Sequence, residues 1–235
     1  MHFSQTLRAA IYPPWRDQYI DYAKLKSLLR EDAARADDTQ PWTEADENAF
    51  CDEILNVQLE KVATFQESSF KSLLERADRL GEQLREMASA TAPAEEGAAP
   101  APRGELTAAR LREIEEALDA IVAEMRELKK YSAINYTGFL KIVKKHDRKR
   151  GSRYRLRPLV MVSLAKRPFN SEEGYAPLAN KLSILYWAVR QQMDGAGEGE
   201  GKEGGKEKGE EKGDGVEGEK YNAYKCGFIS VLIWV

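Results

Sequence analysis

The chain has 235 residues, 42% hydrophobic and 32% charged, with a formal net charge of -3 at pH 7. That length suits one good-sized domain plus a tail, and the charged fraction points to long solvated helices rather than disorder throughout. Near-neutrality names no partner, two cysteines (Cys51 and Cys226) without metal-site spacing exclude a disulfide framework, and no stretch nears the ~20 apolar residues of a membrane span. Met1-His2-Phe3-Ser4-Gln5 has no basic region ahead of an apolar run, so no secretory signal is expected and the chain reads as soluble.

Phe3 and Leu7 share one face of a short opening helix. Tyr12-Pro13-Pro14-Trp15 must interrupt it, because proline lacks the N–H and disfavours helix in the residue before it. A second helix is expected from about Asp21, carrying Leu25, Leu28 and Leu29, with a polar turn over residues 36–41. The opening is thus a helical hairpin. Thr43 followed by Asp46 reads as a capping box. Leu55, Leu59, Val62, Leu73, Ala77, Leu80, Leu84 and Met87 then extend a helix to ~40 residues, or ~60 Å. Residues 89–104 are rich in Ala, Pro and Gly and read as a loop. Leu111, Ile114, Leu118, Ile121, Met125 and Leu128 alternate spacings of three and four, the seam of a coiled coil antiparallel to the first long helix.

After Tyr131 a new helix is expected, capped by Asn135 or Thr137 and carrying Phe139, Leu140, Ile142 and Val143. Residues 159–162 read as a short helix or an extended segment. A last helix is expected from near Pro177, with Leu178, Leu182, Leu185, Val189 and Met193 on one face. Residues 194–220 are nearly all Gly, Glu, Lys and Asp, too polar to offset chain entropy, and read as a disordered linker. Residues 226–235 are abruptly apolar, too short to span a membrane and costly to expose. The expected fold class is all-α: an N-terminal helical hairpin and two long antiparallel helices in an elongated three-helix-type bundle, with short C-terminal helices.

The chemistry is concentrated in the basic run 141–150, followed by Arg153, Arg155 and Arg157. In a helix Lys141, Lys144, Lys145 and Arg148 lie at i, i+3, i+4 and i+7, on one face. Each exposed like-charge pair costs ~0.2–0.5 kcal/mol. A polyanion across all four would relieve that repulsion and add charge-assisted hydrogen bonds. Basic runs taken alone are more often solvated helix faces. Nucleic acid is disfavoured by the lack of interleaved aromatics and by the acidic chain, and a membrane-surface helix because the opposite face is needed for packing. Tyr22 and Lys26, four apart, share a face and could offer a hydroxyl and an ammonium to one phosphate. No P-loop, catalytic carboxylate pair or metal-ligand spacing stands out, so neither enzymatic activity nor a cofactor is expected. His146 beside Asp147 is the only tempting pair, and adjacent helix residues are expected to point apart.

At these residues the chain resembles a known family. Met1-His2-Phe3 through Leu7, then Tyr19-Ile20-Asp21-Tyr22-Ala23-Lys24-Leu25-Lys26, are similar to the start of an SPX domain. Asn135 through Arg148 resembles that family's second signature, and the likeness covers residues 1–165. Tyr12-Pro13-Pro14-Trp15 and the segment from Arg167 to Gln192 resemble accessory subunits of the fungal vacuolar transporter chaperone, the polyphosphate-synthesising complex. The likeness is lost after Gln192, and a truncated or mis-spliced reading frame is the expectation for the apolar decapeptide.

The resemblance implies a receptor for inositol polyphosphates and pyrophosphates. It would report phosphate status to an attached or associated polyphosphate-synthesising machinery, with protein partners in a membrane-associated complex at the cytosolic face of the vacuolar membrane or another endomembrane. No nucleic acid and no membrane span in this chain are implied. Carried over by position, Tyr22, Lys26 and Lys145 form the phosphate-binding cluster, and Lys141, Lys144 and Arg148 the neighbouring lysine surface. Arg148 stands where lysine is usual, keeping charge but altering geometry, and His2 stands where lysine is frequent. The implied layout is a sensor domain over 1–165, a helix or connector over 166–193, the linker 194–220 and an unassigned tail over 221–235. The alternative is a coiled-coil adaptor whose basic patch meets an acidic protein surface, which the seam from Leu111 to Leu128 also suits.

Overall fold

The computed structural model describes residues 3–31, 41–90, 103–150, 155–167 and 172–197, and every regular element among them is helical. In chain order these are α1 (Phe3–Ala10), a 3-10 helix (Pro13–Gln18), α2 (Tyr22–Leu28), α3 (Glu44–Asp52), a π-helical segment (Glu53–Gln58), α4 (Leu59–Ala90), α5 (Arg103–Arg150), α6 (Arg157–Ala165) and α7 (Glu172–Gly197). The expected linker and tail from residue 198 onward, most of the expected loop (91–102), residues 32–40, His2 and Arg153 lie outside the described residues. Among the described residues no helix is long and apolar enough to cross a membrane.

The capping box is present: Asp46 N donates to Thr43 Oγ1 (3.2 Å) and Thr43 N to Asp46 Oδ2 (2.9 Å), starting α3 at Glu44. The helix then continues through the π-helical segment into α4 without a break. An extra residue per turn rotates the chain about its axis. Ile54 is therefore fully buried and Leu55 only half-buried, where the simple period had Leu55 leading the apolar stripe.

No helix begins after Tyr131, because α5 runs unbroken from Arg103 to Arg150. Asn135 does not cap it. Fully buried, its Nδ2 donates to Tyr131 O (2.8 Å) and its Oδ1 accepts from the distant Ile20 N (2.8 Å). Thr137 Oγ1 likewise donates back to Ala133 O (2.8 Å). A polar side chain that finds partners one turn back leaves the helix ladder intact.

Contacts between α5 and the preceding helices fall in descending order, Glu47 with His146 and then Val62 with Tyr131, so the two run antiparallel as expected. The described residues of 1–72 and 124–174 form one compact unit, and those of 73–123 and 175–197 a second. The first is centred on Tyr131, whose hydroxyl donates to Gln18 O (2.9 Å) and whose ring meets those of Tyr19, Phe65 and Trp15 at centroid distances of 4.7, 5.2 and 6.1 Å. Trp15 reaches that cluster because Pro13 and Pro14 open the 3-10 turn carrying it. Gly138 marks a close crossing in the same unit, since a Cβ there would come 3.0 Å from Ile20 Cγ2. Residues 157–165 settle as helix, with Pro158 in the first turn, where its missing N–H costs nothing, and Val160 and Leu164 buried.

The second unit is a three-helix packing. Leu111, Ile114, Leu118 and Ile121 of the seam are buried, with Leu73, Ala77 and Leu84 of α4 and Leu178, Leu182, Leu185 and Val189 of α7. α7 runs parallel to α4: Lys181 pairs with Asp78, Leu185 lies against Gly81, and Gln192 Nε2 donates to Leu84 O (3.2 Å). It begins at Glu172, ahead of Pro177.

Asn135→Ala strands the buried Ile20 N–H, a loss of ~1–3 kcal/mol. Urea unfolding is expected to show a lower midpoint with an unchanged slope, and an unshifted midpoint counts against this role for Asn135.

Candidate anion-binding site

α2 has seven residues, far too few to persist alone, and it is held from outside at both ends. At its start Asp21 accepts from Lys24 N (2.9 Å), Ile20 N donates to Asn135 Oδ1, and Asp21 N donates to Gln58 Oε1 (2.8 Å). The π-helical segment aims Gln58 there alongside Glu53, which takes Gln58 Nε2 (2.7 Å) and Lys24 Nζ (2.6 Å). At its end Arg30 N donates to Ser27 O (2.9 Å) and Glu31 N to Lys26 O (3.1 Å), a Schellman closure. Lys149 Nζ then donates to the carbonyls of Leu29 and Arg30 (2.9 Å each).

The closing residue of that motif is usually glycine, whereas here Arg30 stands at φ 55°. A left-handed L-residue costs ~1–2 kcal/mol. The side chain offsets this: Arg30 Nη2 donates to both oxygens of Asp46 (3.0 Å each), and its guanidinium lies 5.6 Å from the centre of the Trp42 ring. Arg150 lies over the same ring at 3.3 Å.

On α5, Phe139, Ile142, Val143 and His146 point inward and are buried. At ~100° per residue, Lys141, Lys144, Lys145 and Arg148 fall ~100–200° round from His146, on the outward side. Lys141, Lys144 and Arg148 are accordingly exposed, and the Lys145 side chain is 30% exposed, paired with Glu31. Lys149 and Arg150 fall on the inward flanks, which is why they serve α2 and Trp42 instead. Lys26 is half-buried in the last turn of α2. Tyr22 is only 4% exposed and packs edge-on against Phe3, with ring centroids 4.9 Å apart.

Tyr22, Lys145, Arg148 and Lys149 all interact with Glu31. Burial opposes its ionisation, but the hydrogen-bonded Lys145 ammonium and the charges of Lys149 and Arg148 outweigh that and lower its pKa. Burial, reinforced by the Glu31 charge, raises the pKa of the Tyr22 hydroxyl and keeps it a donor. Glu31 thus links Tyr22, Lys145 and Arg148 electrostatically, while Lys141 and Lys144 are exposed farther back along α5. The sequence pattern alone missed Lys149, legible in hindsight from its azimuth, and Glu31, for which the left-handed Arg30 left no signal.

His146 and Asp147, expected to point apart, do meet. His146 is fully buried, with Nδ1 3.0 Å from Asp147 Oδ1 and Nε2 3.0 Å from both oxygens of Glu47. Asp147 can turn back because it also accepts Leu156 N (2.9 Å) and Arg157 N (3.2 Å), capping α6. Phe50 stacks on the imidazole (5.0 Å), and Trp42 Nε1 donates to Glu47 (2.9 Å). The cluster joins α3, α5 and α6 and is closed to solvent at its centre, a structural rivet. Burial, with the Glu47 charge beside it, raises the Cys51 pKa to about 11, so that thiol stays protonated. Among the described residues no group of His, Cys, Asp and Glu could hold a metal ion.

No family model matches the chain. It is 34% identical over 201 residues to vacuolar transporter chaperone complex subunit 2 of Saccharomyces cerevisiae, covering 84% of this chain and 22% of that protein. With subunit 2 of Schizosaccharomyces pombe it shares 35% identity over 190 residues, covering 81% and 23%. With SPX domain-containing protein 5 of Oryza sativa subsp. indica it shares 29% over 192 residues, covering 80% and 67%. The SPX domain of Chaetomium thermophilum glycerophosphodiester phosphodiesterase 1, solved in complex with inositol hexakisphosphate, matches with a TM-score of 0.59 at 22% identity, covering 81% of this chain and 99% of that one. The fold is that of an SPX domain. The chain resembles the N-terminal region of the vacuolar transporter chaperone subunits, spanning 22–23% of the length of the two named here.

Two outcomes follow from this geometry. Lys149→Met removes the ammonium that bridges the Leu29 and Arg30 carbonyls, leaving only the longer Arg150 bond to Leu29 O (3.4 Å) among the hydrogen bonds named there. Hydrogen exchange is then expected to quicken over residues 22–31 while residues 111–128 keep their protection; uniform behaviour would contradict the clamp. The lowered Glu31 pKa means that its pair with Lys145 stabilises the fold above the ordinary glutamate range. That contribution is lost as pH falls through the lowered pKa, so acidification is expected to lower the melting temperature more steeply in the wild type than in Glu31→Gln.

Proposed function

We propose that this chain is a phosphate-status sensor that binds inositol polyphosphates and pyrophosphates. The ligand sits on Tyr22, Lys26 and Lys145, with Lys141, Lys144 and Arg148 as the adjoining surface. The observation that supports this reading is the clamp of α2 onto the end of α5, which runs the helix bearing Tyr22 and Lys26 alongside the part of α5 that bears the four cations. Such a face, cationic along about two turns and with Lys141, Lys144 and Arg148 exposed, suits a dense polyanion better than a single carboxylate. The shared fold with an SPX domain solved bound to inositol hexakisphosphate supports the same ligand class.

The relatives are named as subunits of a complex, and this chain matches under a quarter of their length. The proposed role is accordingly regulatory. Residues 1–165 are the sensing part and report to a polyphosphate-synthesising domain or subunit at the cytosolic face of the vacuolar membrane. Binding, with no cofactor and no chemical step, is the activity assigned to this chain.

Calorimetric titration of the full chain with inositol hexakisphosphate and a pyrophosphorylated analogue tests the reading. Binding is expected to weaken steeply with salt, since exposed phosphate contacts are screened. Lys145→Ala is expected to cost ~1–3 kcal/mol of binding with the helical content unchanged. Unaltered affinity in that variant removes Lys145 from the site. Absence of binding by the folded chain, together with capture of an acidic protein, moves the reading to an adaptor.

A further inference from the structure

The cation nearest the centre of the proposed site already has an anion. We infer that Glu31 is a built-in competitor for the ligand: its carboxylate holds the Lys145 position that a phosphate takes, so binding requires its displacement. This inference rests on the anion-binding reading above and names how that site selects its ligand.

Three observations carry it. The Glu31 side chain is only 16% exposed and is paired with Lys145, while Lys149 and Arg148 act on it from the same helix and Tyr22 feels its charge from α2. Of these, Tyr22, Lys145 and Arg148 belong to the proposed site. The placement is also enforced by the backbone. Arg30 adopts a left-handed conformation that disfavours an L-residue, and its side chain is tied to Asp46 and Trp42. The Schellman bond from Glu31 N to Lys26 O then directs Glu31 toward α5. Finally, Lys141 and Lys144 are exposed on the outward face, and the cations that lower the Glu31 pKa are Lys145, Lys149 and Arg148.

The consequence is a threshold. A small anion exchanges one ion pair at Lys145 for another and gains little. A ligand with several phosphates recovers the lost pair through simultaneous contacts along α5, which raises its effective concentration at the contested position. Glu31 thereby suppresses small phosphates more than dense polyanions, and selectivity comes from the anion inside the site as much as from the cations.

The test compares the full-length wild type with Glu31→Gln by titration with inositol hexakisphosphate and with inorganic pyrophosphate at low salt. Glu127→Gln, on α5 outside the site, controls for the change in net charge. Glu31→Gln is expected to bind pyrophosphate ~5–30-fold more tightly, the scale of one partly exposed charge pair, and the hexakisphosphate by a smaller factor. Unchanged or weaker binding in Glu31→Gln, beside a wild type that binds, overturns the competitor and leaves the binding reading standing. A gain matched by Glu127→Gln also overturns it. Binding by Glu31→Gln where the wild type shows none supports the competitor. Failure of both proteins to bind removes the reading and the competitor together. A second measurement needs no variant. The carboxyl carbon-13 signal of Glu31, titrated with pH in the wild type, is expected to report a higher pKa with inositol hexakisphosphate bound, because the displaced carboxylate loses Lys145 and gains a phosphate neighbour. A titration that does not move overturns the inference.

Discussion

Asn135 and Lys149, about four turns apart on α5, hold the two ends of α2, and the candidate site depends on that pair of contacts. A seven-residue helix has no stability of its own and leaves most of its terminal backbone groups without intrahelical partners. Here the N–H groups just before it go to Asn135 and Gln58, and the carbonyls just after it go to Lys149. α2 therefore lies alongside the end of α5 and runs in the same direction, which brings Glu31, just past its end, onto Lys145.

The rotation of α5 is the second constraint. A histidine between two carboxylates, stacked on Phe50, is costly to move out of place once buried, because each of its nitrogens would lose its partner. With His146 inward, Phe139, Ile142 and Val143 share its side and the four cations take the other. Asp147 extends the same cluster to the first N–H groups of α6. One buried polar group thus settles which way a run of lysines and arginines faces, and which of them are spent on structure. Lys149 and Arg150 are spent in this way, and Lys141, Lys144 and Arg148 are left to solvent.

The balance of charge in the site is local. An overall charge of -3 says nothing about a face on which Lys145, Lys149 and Arg148 act on one carboxylate. That carboxylate is placed by a backbone conformation rather than by the helical pattern on either side. The π-helical segment does comparable work at the other end of α2, turning Glu53 and Gln58 toward Asp21 and Lys24 while α3 and α4 remain one continuous rod.

The helical class, the coiled-coil seam from Leu111 to Leu128, the capping box at Thr43 and the cationic face of Lys141, Lys144, Lys145 and Arg148 were determined by the sequence alone. Each rests on a spacing of three or four residues, which the geometry of one helix converts directly into a shared face. What tertiary structure decided joins residues distant in the chain. It made α5 continuous through Asn135, whose buried amide reaches Ile20. It brought Asp147 back onto His146 by giving its oxygens the N–H groups of α6, and it put Glu31 on Lys145 through a left-handed arginine braced by Asp46 and Trp42. The physical reason is common to all three. A polar side chain or a strained backbone is stable only where a distant group satisfies it, and local periodicity carries no record of what that distant group is.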